Sequence, residues 1–538
     1  MPSNQNGASS PNAENLKDEG NKLFVAKKYD AAITKYSEAI ALDGQNPILF
    51  ANRAACRLSL RRYMDAATDA AKATQLNPNY SKAWARLATA YDELRQPTKS
   101  ESCWKQALET LPKENPTEGE LKQKEQYEKS YEAAKKAIED VKNEVNSRIL
   151  RSTNIQNPWA RALELKPQME REGNWTSSVW AITDAYEQMQ LGTKEMDDVT
   201  VIQSIGQAAF NLRSIEKMTN AILCDRRILQ FIDGGWVGKV NRQIRGETAC
   251  AGAWTDAGPA ALMQEADNRR VEQGWNHVRQ AVGTTVRCWI LYGLLEGGLN
   301  QNPATELEFL ERALEIIKWG RRVWDGVSTE DRGVIFLDWF MHGVQNLYLE
   351  ALMKVSSKEK NVEKKLLRLE ELDEAADEVI NSINGNPIPS RADNPSFASA
   401  YYYYPRGYAY SMKGYYLREK AKLSKEQTEI KRLMREAAAA YMSASQNFAE
   451  DDEHHSWFMC IALENMLSGS SPAGATLKTM ENLKAAVPKM QGIWARSQMA
   501  MQGRDAMIQT QLKHEASLRR QLAQGRIKED EGVRLQTL

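Results

Sequence analysis

The sequence predicts an all-α protein in which three stacked helical hairpins precede a capping helix and a large, irregular helical domain. Between Asn15 and Pro112, small, bulky and turn residues recur at intervals of 34 positions. A fixed period of this length is typical of repeated helix pairs, in which each pair packs on its neighbours. Behind the repeats, apolar residues follow helical spacing, and period-2 runs of β-branched residues are scarce.

Recurring small residues predict where two helices of the N-terminal region approach each other closely. Bulky residues recur in a different register, at Leu16, Phe50 and Trp84, where they would fill the gap to the next hairpin. The aligned small residues are Gly20 with Ala54 and Ala88, Ala32 with Ala66 and Ser100, and Ala39 with Ala73 and Ala107.

Proline and turn residues bound six predicted helices in a first domain at residues 13–115. Proline cannot continue a helix, so Pro47, Pro78, Pro97 and Pro112 mark the element boundaries. The polar segment 1–12 is predicted to be a disordered tail. The predicted helices span residues 14–26, 30–43, 48–60, 64–77, 82–94 and 98–111.

Residues 116–154 are rich in lysine and glutamate and predict one long, charged helix. The apolar and aromatic residues of this segment follow helical spacing, at Leu121, Tyr127, Tyr131, Ala134 and Ile138. We interpret the segment as a solvated helix that caps the open end of the last repeat. A separate coiled-coil partner site is the alternative, although the apolar stripe is too interrupted for sustained heptads.

The segment 155–502 is predicted to be a helical-repeat domain whose repeat has lost its regularity, and 503–538 a charged C-terminal helix with a tail. Trp159, Trp175 and Trp180 mark the change of composition at its start. The predicted helices span 178–191, 200–211, 214–231, 260–297, 305–325, 332–355, 362–384, 396–423, 427–448 and 455–468.

The composition argues against several classes of partner. Basic and acidic residues both number 71, so no global charge draws the chain to nucleic acid or anionic lipid. The polar N-terminal residues do not follow a signal-peptide pattern, and no apolar run of about 18 residues predicts a membrane span. The six cysteines are scattered without a CxxC pair, so we expect reduced thiols, most of them buried, in a cytoplasmic protein.

Five polar residues on the first helices of the hairpins form the candidate binding site: Lys17, Asn21, Asn52, Lys82 and Arg86. Lys17 and Asn21 are four positions apart, so their side chains leave one face of their helix, and Lys82 and Arg86 repeat that spacing. The first helices of a curved hairpin array line its concave face, so all five can converge in one groove. Cationic and amide donors there suit an anion with several oxygens, such as a peptide C terminus beside an acidic side chain.

The 34-residue period with its turn residues resembles the tetratricopeptide (TPR) repeat, so the first domain is expected to be a three-repeat TPR solenoid and the rear domain TPR-like. The frames LKDEGNKLF, FANRAACRL and YSKAWARLA resemble the two-carboxylate clamp of TPR co-chaperones. By this resemblance, Lys17, Asn21 and Asn52 would hold a terminal carboxylate, and Lys82 would complete the clamp. Arg86 would then contact the preceding acidic side chain.

The resemblance also implies a partner. Such clamps bind the terminal Glu-Glu-Val-Asp of cytosolic heat-shock chaperones of the seventy- and ninety-kilodalton classes, and the five residues do not separate those two classes. The resemblance does not extend to the rear domain, which would recruit a client or another, unknown protein partner.

Three other constellations resemble chemical sites, but each has a structural explanation. The segment 451–455 has the composition of a metal cluster without its spacing, so we interpret it as a turn before an acidic helix start. His277 and His342 lie in apolar helical runs and are predicted to be core histidines rather than acid–base groups. The aromatic run 401–405 is predicted to pack between hairpins, with a ligand groove as the alternative.

The sequence carries no phosphate-cradling loop, nucleophile motif or metal-ligand spacing. We therefore predict no catalytic, metal or cofactor-binding residue, and a non-enzymatic adaptor or co-chaperone. The first alternative is a scaffold that reads an acidic C terminus other than a chaperone's. The second is an enzyme whose rear domain is delivered to chaperones by the TPR domain.

Overall fold

The structure of the chain is a computed structural model. It describes residues 11–94, 96–112, 116–152, 157–197, 200–202, 207–209, 213–229, 234–254 and 257–533. The chain divides into two compact units. The first unit comprises residues 1–148 and 248–319, and the second comprises 149–247 and 320–538.

Six helices of similar length form the three predicted hairpins, and their limits agree with the sequence prediction to within a few residues. Residues 1–10 of the predicted tail lie outside the described residues, and Pro11 and Asn12 already belong to the first helix. The helices are α1 Pro11–Val25, α2 Tyr29–Leu42, α3 Pro47–Ser59, α4 Tyr63–Leu76, α5 Ser81–Glu93 and α6 Pro97–Glu109.

The recurring small residues lie where the helices of each hairpin meet, as predicted. A Cβ atom on Gly20 would come within 2.7 Å of the Tyr36 ring, so only glycine allows α1 to pack this closely on α2. The equivalent Ala54 and Ala88 are fully buried in the next two hairpins. The period of the sequence therefore reflects the packing of α1 on α2, of α3 on α4 and of α5 on α6.

A long helix, α7 Glu118–Ser152, covers the end of the third hairpin. Tyr127 on α7 packs its ring against Trp104 on α6, with 5.3 Å between ring centroids. Ala134 is buried in the same apolar cluster, and Tyr131 packs against it. Helix α7 thus packs on the last hairpin through these residues, and its role as a cap stays a prediction.

The remainder of the described chain is helical apart from one short hairpin. None of its helices is both long enough and apolar enough to cross a membrane. The elements are α8 Pro158–Glu172, α9 Val179–Asp197, β1 Thr200–Ile202, β2 Gln207–Ala209, α10 Ser214–Cys224, α11 Gly234–Ala251, α12 Pro259–Gln273, α13 Trp275–Gly298, α14 Pro303–Val323, α15 Thr329–Arg332, α16 Asp338–Lys358, α17 Val362–Asn384, α18 Pro395–Ala398, a π-helical segment Ser399–Tyr403, α19 Tyr404–Leu423, α20 Gln427–Ser445, α21 Glu453–Ser468, α22 Ala473–Trp494, α23 Gln498–Met501, α24 Arg504–Leu512 and α25 Glu515–Ala523.

Several of the helices predicted for residues 155–538 differ from the structure in their type or limits. The predicted helix 200–211 is instead an antiparallel hairpin over its described part, in which Thr200 pairs with Ala209. Three consecutive β-branched residues, 200–202, favour a strand there. The predicted helix 260–297 is two helices because Gly274 has φ +80°, which breaks the helical backbone. The predicted C-terminal helix is likewise two short helices, α24 and α25.

Residues 258–308 pack on the repeats within the first unit, and nothing in the sequence indicated this contact. The amide of Gly258 donates to Thr68 Oγ1 at 2.8 Å, and Thr305 Oγ1 donates to the Glu93 carbonyl at 3.0 Å. The amide of Met64, at the start of α4, donates to Glu308 Oε1 at 3.1 Å. The domain limits predicted from the sequence, 13–115, 116–154, 155–502 and 503–538, remain predictions.

All six cysteines are free, and five of them are buried while Cys250 is exposed. Burial raises the pKa of the Cys103 thiol to about 12, so this group stays protonated. The prediction that most of the thiols are buried is confirmed.

Candidate functional site

The repeat fold brings three of the five predicted site residues into direct contact. Asn21 on α1, Asn52 on α3 and Arg86 on α5 come from the first helices of successive hairpins. Asn52 Nδ2 donates to Asn21 Oδ1 at 3.1 Å, and Arg86 Nη1 donates to Asn52 Oδ1 at 3.3 Å. Side chains 31 and 34 positions apart in sequence therefore meet in a single hydrogen-bonded row across three repeats.

Tyr36 extends this row, although sequence reasoning did not select it. Its hydroxyl donates to Asn21 Oδ1 at 2.8 Å. Burial raises the pKa of Tyr36 to about 12, so the phenol remains a donor at neutral pH. The Tyr36 ring packs against Gly20, one residue before Asn21, and no pattern in the sequence pointed to this contact. We call Tyr36, Asn21, Asn52 and Arg86 the groove row.

The groove row fixes which atoms of the two amides are left for a ligand. Asn21 Oδ1 accepts two hydrogen bonds, and Asn52 Oδ1 accepts one from Arg86. Because the carbonyl oxygens are engaged inside the protein, the remaining N–H groups of the amides are the ones left to donate. The row therefore presents donors, which suits an anionic ligand.

Arg86 and Lys82 supply positive charge without an internal counter-ion. No ion pair to a carboxylate is recorded for either side chain among the residues that the structure describes. Arg86 is half-buried, and desolvation lowers the pKa of its guanidinium below the usual value. Lys82, four residues earlier on α5, is exposed. A desolvated guanidinium without a carboxylate gains more from an incoming anion than a solvated one does.

Lys17 differs from the other two cations because it already has a partner. Its ammonium pairs with Glu14, one turn earlier on α1. The Lys17 side chain is 18% exposed and that of Glu14 is 47% exposed. A carboxylate thus lies beside the predicted site, and an anionic ligand would compete with Glu14 for Lys17.

The neighbouring arginines of α3 have a structural role. Arg53 and Arg57 both contact Asp69 on α4, at 2.8 Å each. Arg53 also donates to Ser37 Oγ at 2.8 Å. These buried contacts join the second hairpin to the first and hold α3, and with it Asn52, in place.

The other constellations singled out in the sequence have mixed outcomes. His342 is fully buried and contacts the carbonyl of Tyr401 and the hydroxyl of Ser382, so its prediction as a core histidine is confirmed. The same prediction for His277 is wrong, because this residue is exposed and its ring contacts the carbonyl of Gln273 one turn earlier.

The acidic segment 451–455 begins α21, as predicted. Asp452 caps that helix by accepting from the amide of His454, and it pairs with Arg227 at 2.8 Å. Arg227 in turn pairs with Asp225 at 2.6 Å and stacks on the Trp494 ring at 3.9 Å. Burial alone would raise the pKa of the Asp452 carboxyl, but the Arg227 charge and hydrogen bonds outweigh burial and lower that pKa, so this group stays ionised. The cluster is a satisfied buried ion network, and across the described ranges no group of side chains is arranged to hold a metal ion.

Comparison with known proteins finds relatives among TPR co-chaperones. The chain is 41% identical over 96 residues to a heat shock protein sti1 homolog of Schizosaccharomyces pombe, covering 18% of this chain and 16% of that protein. It is 37% identical over 131 residues to small glutamine-rich tetratricopeptide repeat-containing protein 2 of Saccharomyces cerevisiae, covering 24% and 36%. It is 39% identical over 79 residues to the Hsp70-Hsp90 organizing protein of Triticum aestivum, covering 15% and 14%.

These similarities concern the N-terminal repeats and leave the C-terminal region uncovered. The chain spans between 14% and 36% of the length of the three relatives. No family model matches the chain. The first unit thus contains TPR repeats that resemble those of co-chaperones, and the helical region that follows lies outside these similarities.

Proposed function

We propose that the groove of the first unit binds the acidic C-terminal peptide, of the Glu-Glu-Val-Asp type, of heat-shock chaperones of the seventy- and ninety-kilodalton classes. The observation that carries this proposal is the groove row, in which Asn21, Asn52 and Arg86 from three successive repeats meet and the carbonyl oxygens of both amides are engaged. The relatives support it, since one is named a heat shock protein homolog and another an Hsp70-Hsp90 organizing protein.

The resemblance to the two-carboxylate clamp implies a division of roles within the groove. Asn21 and Asn52 offer oriented N–H groups to the terminal carboxylate, and Lys17 would leave Glu14 to join them. Lys82 completes the contacts to that carboxylate, and Arg86 receives the acidic side chain that precedes it. Each contact is a hydrogen bond to a charged group, which is worth about 1.5–3 kcal/mol.

The rest of the chain would make the protein an adaptor. In this proposal the first unit docks on the chaperone tail, and the helical region that follows recruits a client or another protein. The function requires no cofactor and no catalytic residue. The cytoplasmic location stays a prediction that agrees with a chaperone partner.

Fluorescence polarisation with a labelled peptide ending in Glu-Glu-Val-Asp tests the proposal on the full chain. Replacing Lys82 by alanine should weaken binding by about ten- to a hundredfold, because one charge-assisted contact is lost. Lys35→Ala is the matched control, since Lys35 is a cation on α2 that pairs with Glu38 at 2.9 Å and lies outside the groove row. Equal affinity of Lys82→Ala and the parent chain would contradict the assignment.

A C-terminally amidated peptide separates carboxylate recognition from general attraction of acidic peptides. The amide should bind at least about tenfold more weakly, since it lacks the terminal charge that the groove would hold. An unrelated peptide with an acidic C terminus that competes as well as Glu-Glu-Val-Asp would instead favour the scaffold with a different partner.

A further inference from the structure

The second unit presents a cationic and aromatic surface around the π-helical segment that precedes α19. Ser399–Tyr403 is one turn of π-helix, an arrangement that is rare in proteins and common at functional sites. Tyr401 is buried, whereas Tyr403 is half-exposed. The segment therefore directs one tyrosine into the core and another toward the surface.

Two arginines meet at the Tyr403 ring from different parts of the chain. Arg391, in the connection before α18, has its guanidinium carbon 3.8 Å from the ring centroid. Arg406, on α19, has its guanidinium carbon 5.4 Å from the same centroid. Both side chains are half-exposed. Stacking on an aromatic face holds a guanidinium in place without using its N–H donors.

Both arginines also donate hydrogen bonds to the same asparagine. Arg391 Nη2 donates to the Asn447 carbonyl at 3.1 Å, and Arg406 Nε donates to Asn447 Oδ1 at 2.8 Å. Arg406 Nη1 also donates to Asn384 Oδ1 at 3.2 Å, at an exposed position. Every acceptor that these guanidinium groups use is neutral, so neither positive charge is compensated by the contacts that position it.

Donors on both arginines remain without an acceptor in the part of the chain that the structure describes. Arg391 Nε is buried and has no hydrogen-bond partner there. Arg391 Nη1 and Arg406 Nη2 likewise have no recorded acceptor among the described residues. Burial lowers the pKa of Arg391, and the nearby charge of Arg406 lowers it further.

Two other arginines of the second unit have the carboxylate partner that Arg391 and Arg406 lack in the described part of the chain. Arg418, on the same helix as Arg406, pairs with Glu464 at 2.8 Å, and the buried Arg504 pairs with Glu453 at 2.8 Å. No ion pair to a carboxylate is recorded for Arg391 or Arg406 within the described ranges. Holding two like charges at one ring without a counter-ion costs free energy, and a bound anion would offset that cost.

We propose that Arg391, Arg406 and Tyr403 form an oxyanion site on the second unit, which takes a phosphate or carboxylate group. The two guanidinium groups donate to the oxygens of the anion, and the asparagines and the ring keep both groups in position. Phosphate and carboxylate share the oxygen geometry that guanidinium donors recognise. This site is independent of the groove in the first unit.

The test uses the full chain carrying Lys82→Ala throughout, so that anion binding in the first unit is weakened in every sample. Line broadening of inorganic phosphate, followed by ³¹P NMR, reports phosphate binding. Saturation transfer to the methyl group of acetate reports carboxylate binding. Arg406→Gln should weaken the binding of the preferred anion by about tenfold. Arg418→Gln, on the same helix but paired with Glu464, should leave it unchanged.

Broadening of phosphate alone identifies a phosphate site, and transfer to acetate alone identifies a carboxylate site. Arg406→Lys keeps the charge and much of the packing but loses the guanidinium fork, so it should bind more weakly than the parent while remaining folded by circular dichroism. The proposal is overturned if neither anion binds, or if Arg406→Gln and Arg418→Gln change the signals equally.

Discussion

Replacing Tyr36 by phenylalanine tests whether the groove row orients the amides that are proposed to bind the peptide. The change removes the hydroxyl that donates to Asn21 Oδ1 at 2.8 Å and leaves the ring that packs against Gly20. Asn21 keeps only its contact with Asn52, so its amide gains freedom to rotate away from the donating orientation. One neutral hydrogen bond is worth about 0.5–1.5 kcal/mol, which predicts a loss of peptide affinity of about two- to tenfold.

The assay is the titration of Glu-Glu-Val-Asp peptide into the parent and variant chains, with circular dichroism to confirm that both are folded. Tyr29→Phe is the control, because Tyr29 lies on the same helix and has no recorded hydrogen bond through its hydroxyl among the described residues. Burial raises the pKa of Tyr36 to about 12, so the difference between parent and variant should not change between about pH 6 and pH 9. If Tyr36→Phe binds as tightly as the parent, the groove row does not orient the amides.

Two further predictions follow from carboxylates near the repeats. Glu14→Gln should bind the peptide about twofold more tightly in the same titration, because Lys17 then has no carboxylate partner to leave and a helical ion pair of this kind is worth about 0.3–0.5 kcal/mol; weaker binding would contradict competition between Glu14 and the peptide. Burial raises the pKa of Glu308 to about 7, so its protonated form is favoured in the folded state and its contribution to the free energy of unfolding falls as pH rises from about 4.5 to 7. The shift corresponds to about 3 kcal/mol, so denaturant unfolding of Glu308→Gln should depend less on pH across that window than unfolding of the parent; equal dependence would refute a raised pKa.

The sequence predicted the repeats well because their packing is local and periodic. Gly20 and its equivalents recur every 34 positions, and each lies where two consecutive helices touch. The spacing of Lys82 and Arg86 likewise fixes one helix face without knowledge of the fold. Such arguments place side chains relative to their own helix, and the repeat then places the helices relative to each other.

Contacts between distant parts of the chain left no such signal. Glu308 accepts from the amide of Met64 across 244 positions, and no local pattern marks either residue for the other. The mispredicted helix at 200–211 has a different cause, because the β-branched residues 200–202 already favoured a strand locally. The prediction for His277 is wrong because a helical run of similar composition can be buried or exposed, and only tertiary packing distinguishes the two.

The repeat also explains why the scaffold is regular while the groove is not. Positions 34 apart occupy equivalent places in successive hairpins, and small buried residues fill the packing places in all three. The positions equivalent to Lys82 and Arg86 hold different residues in each hairpin. The positions equivalent to Lys82 are Glu14 and Ile48, and those equivalent to Arg86 are Asp18 and Asn52. At these two registers the residue changes from a carboxylate on α1 to a cation on α5, while the one cation that α1 adds to the site, Lys17, is paired with Glu14. A peptide with acidic side chains before its terminal carboxylate gains most when those side chains face α5, because the reverse direction would place them beside Glu14 and Asp18.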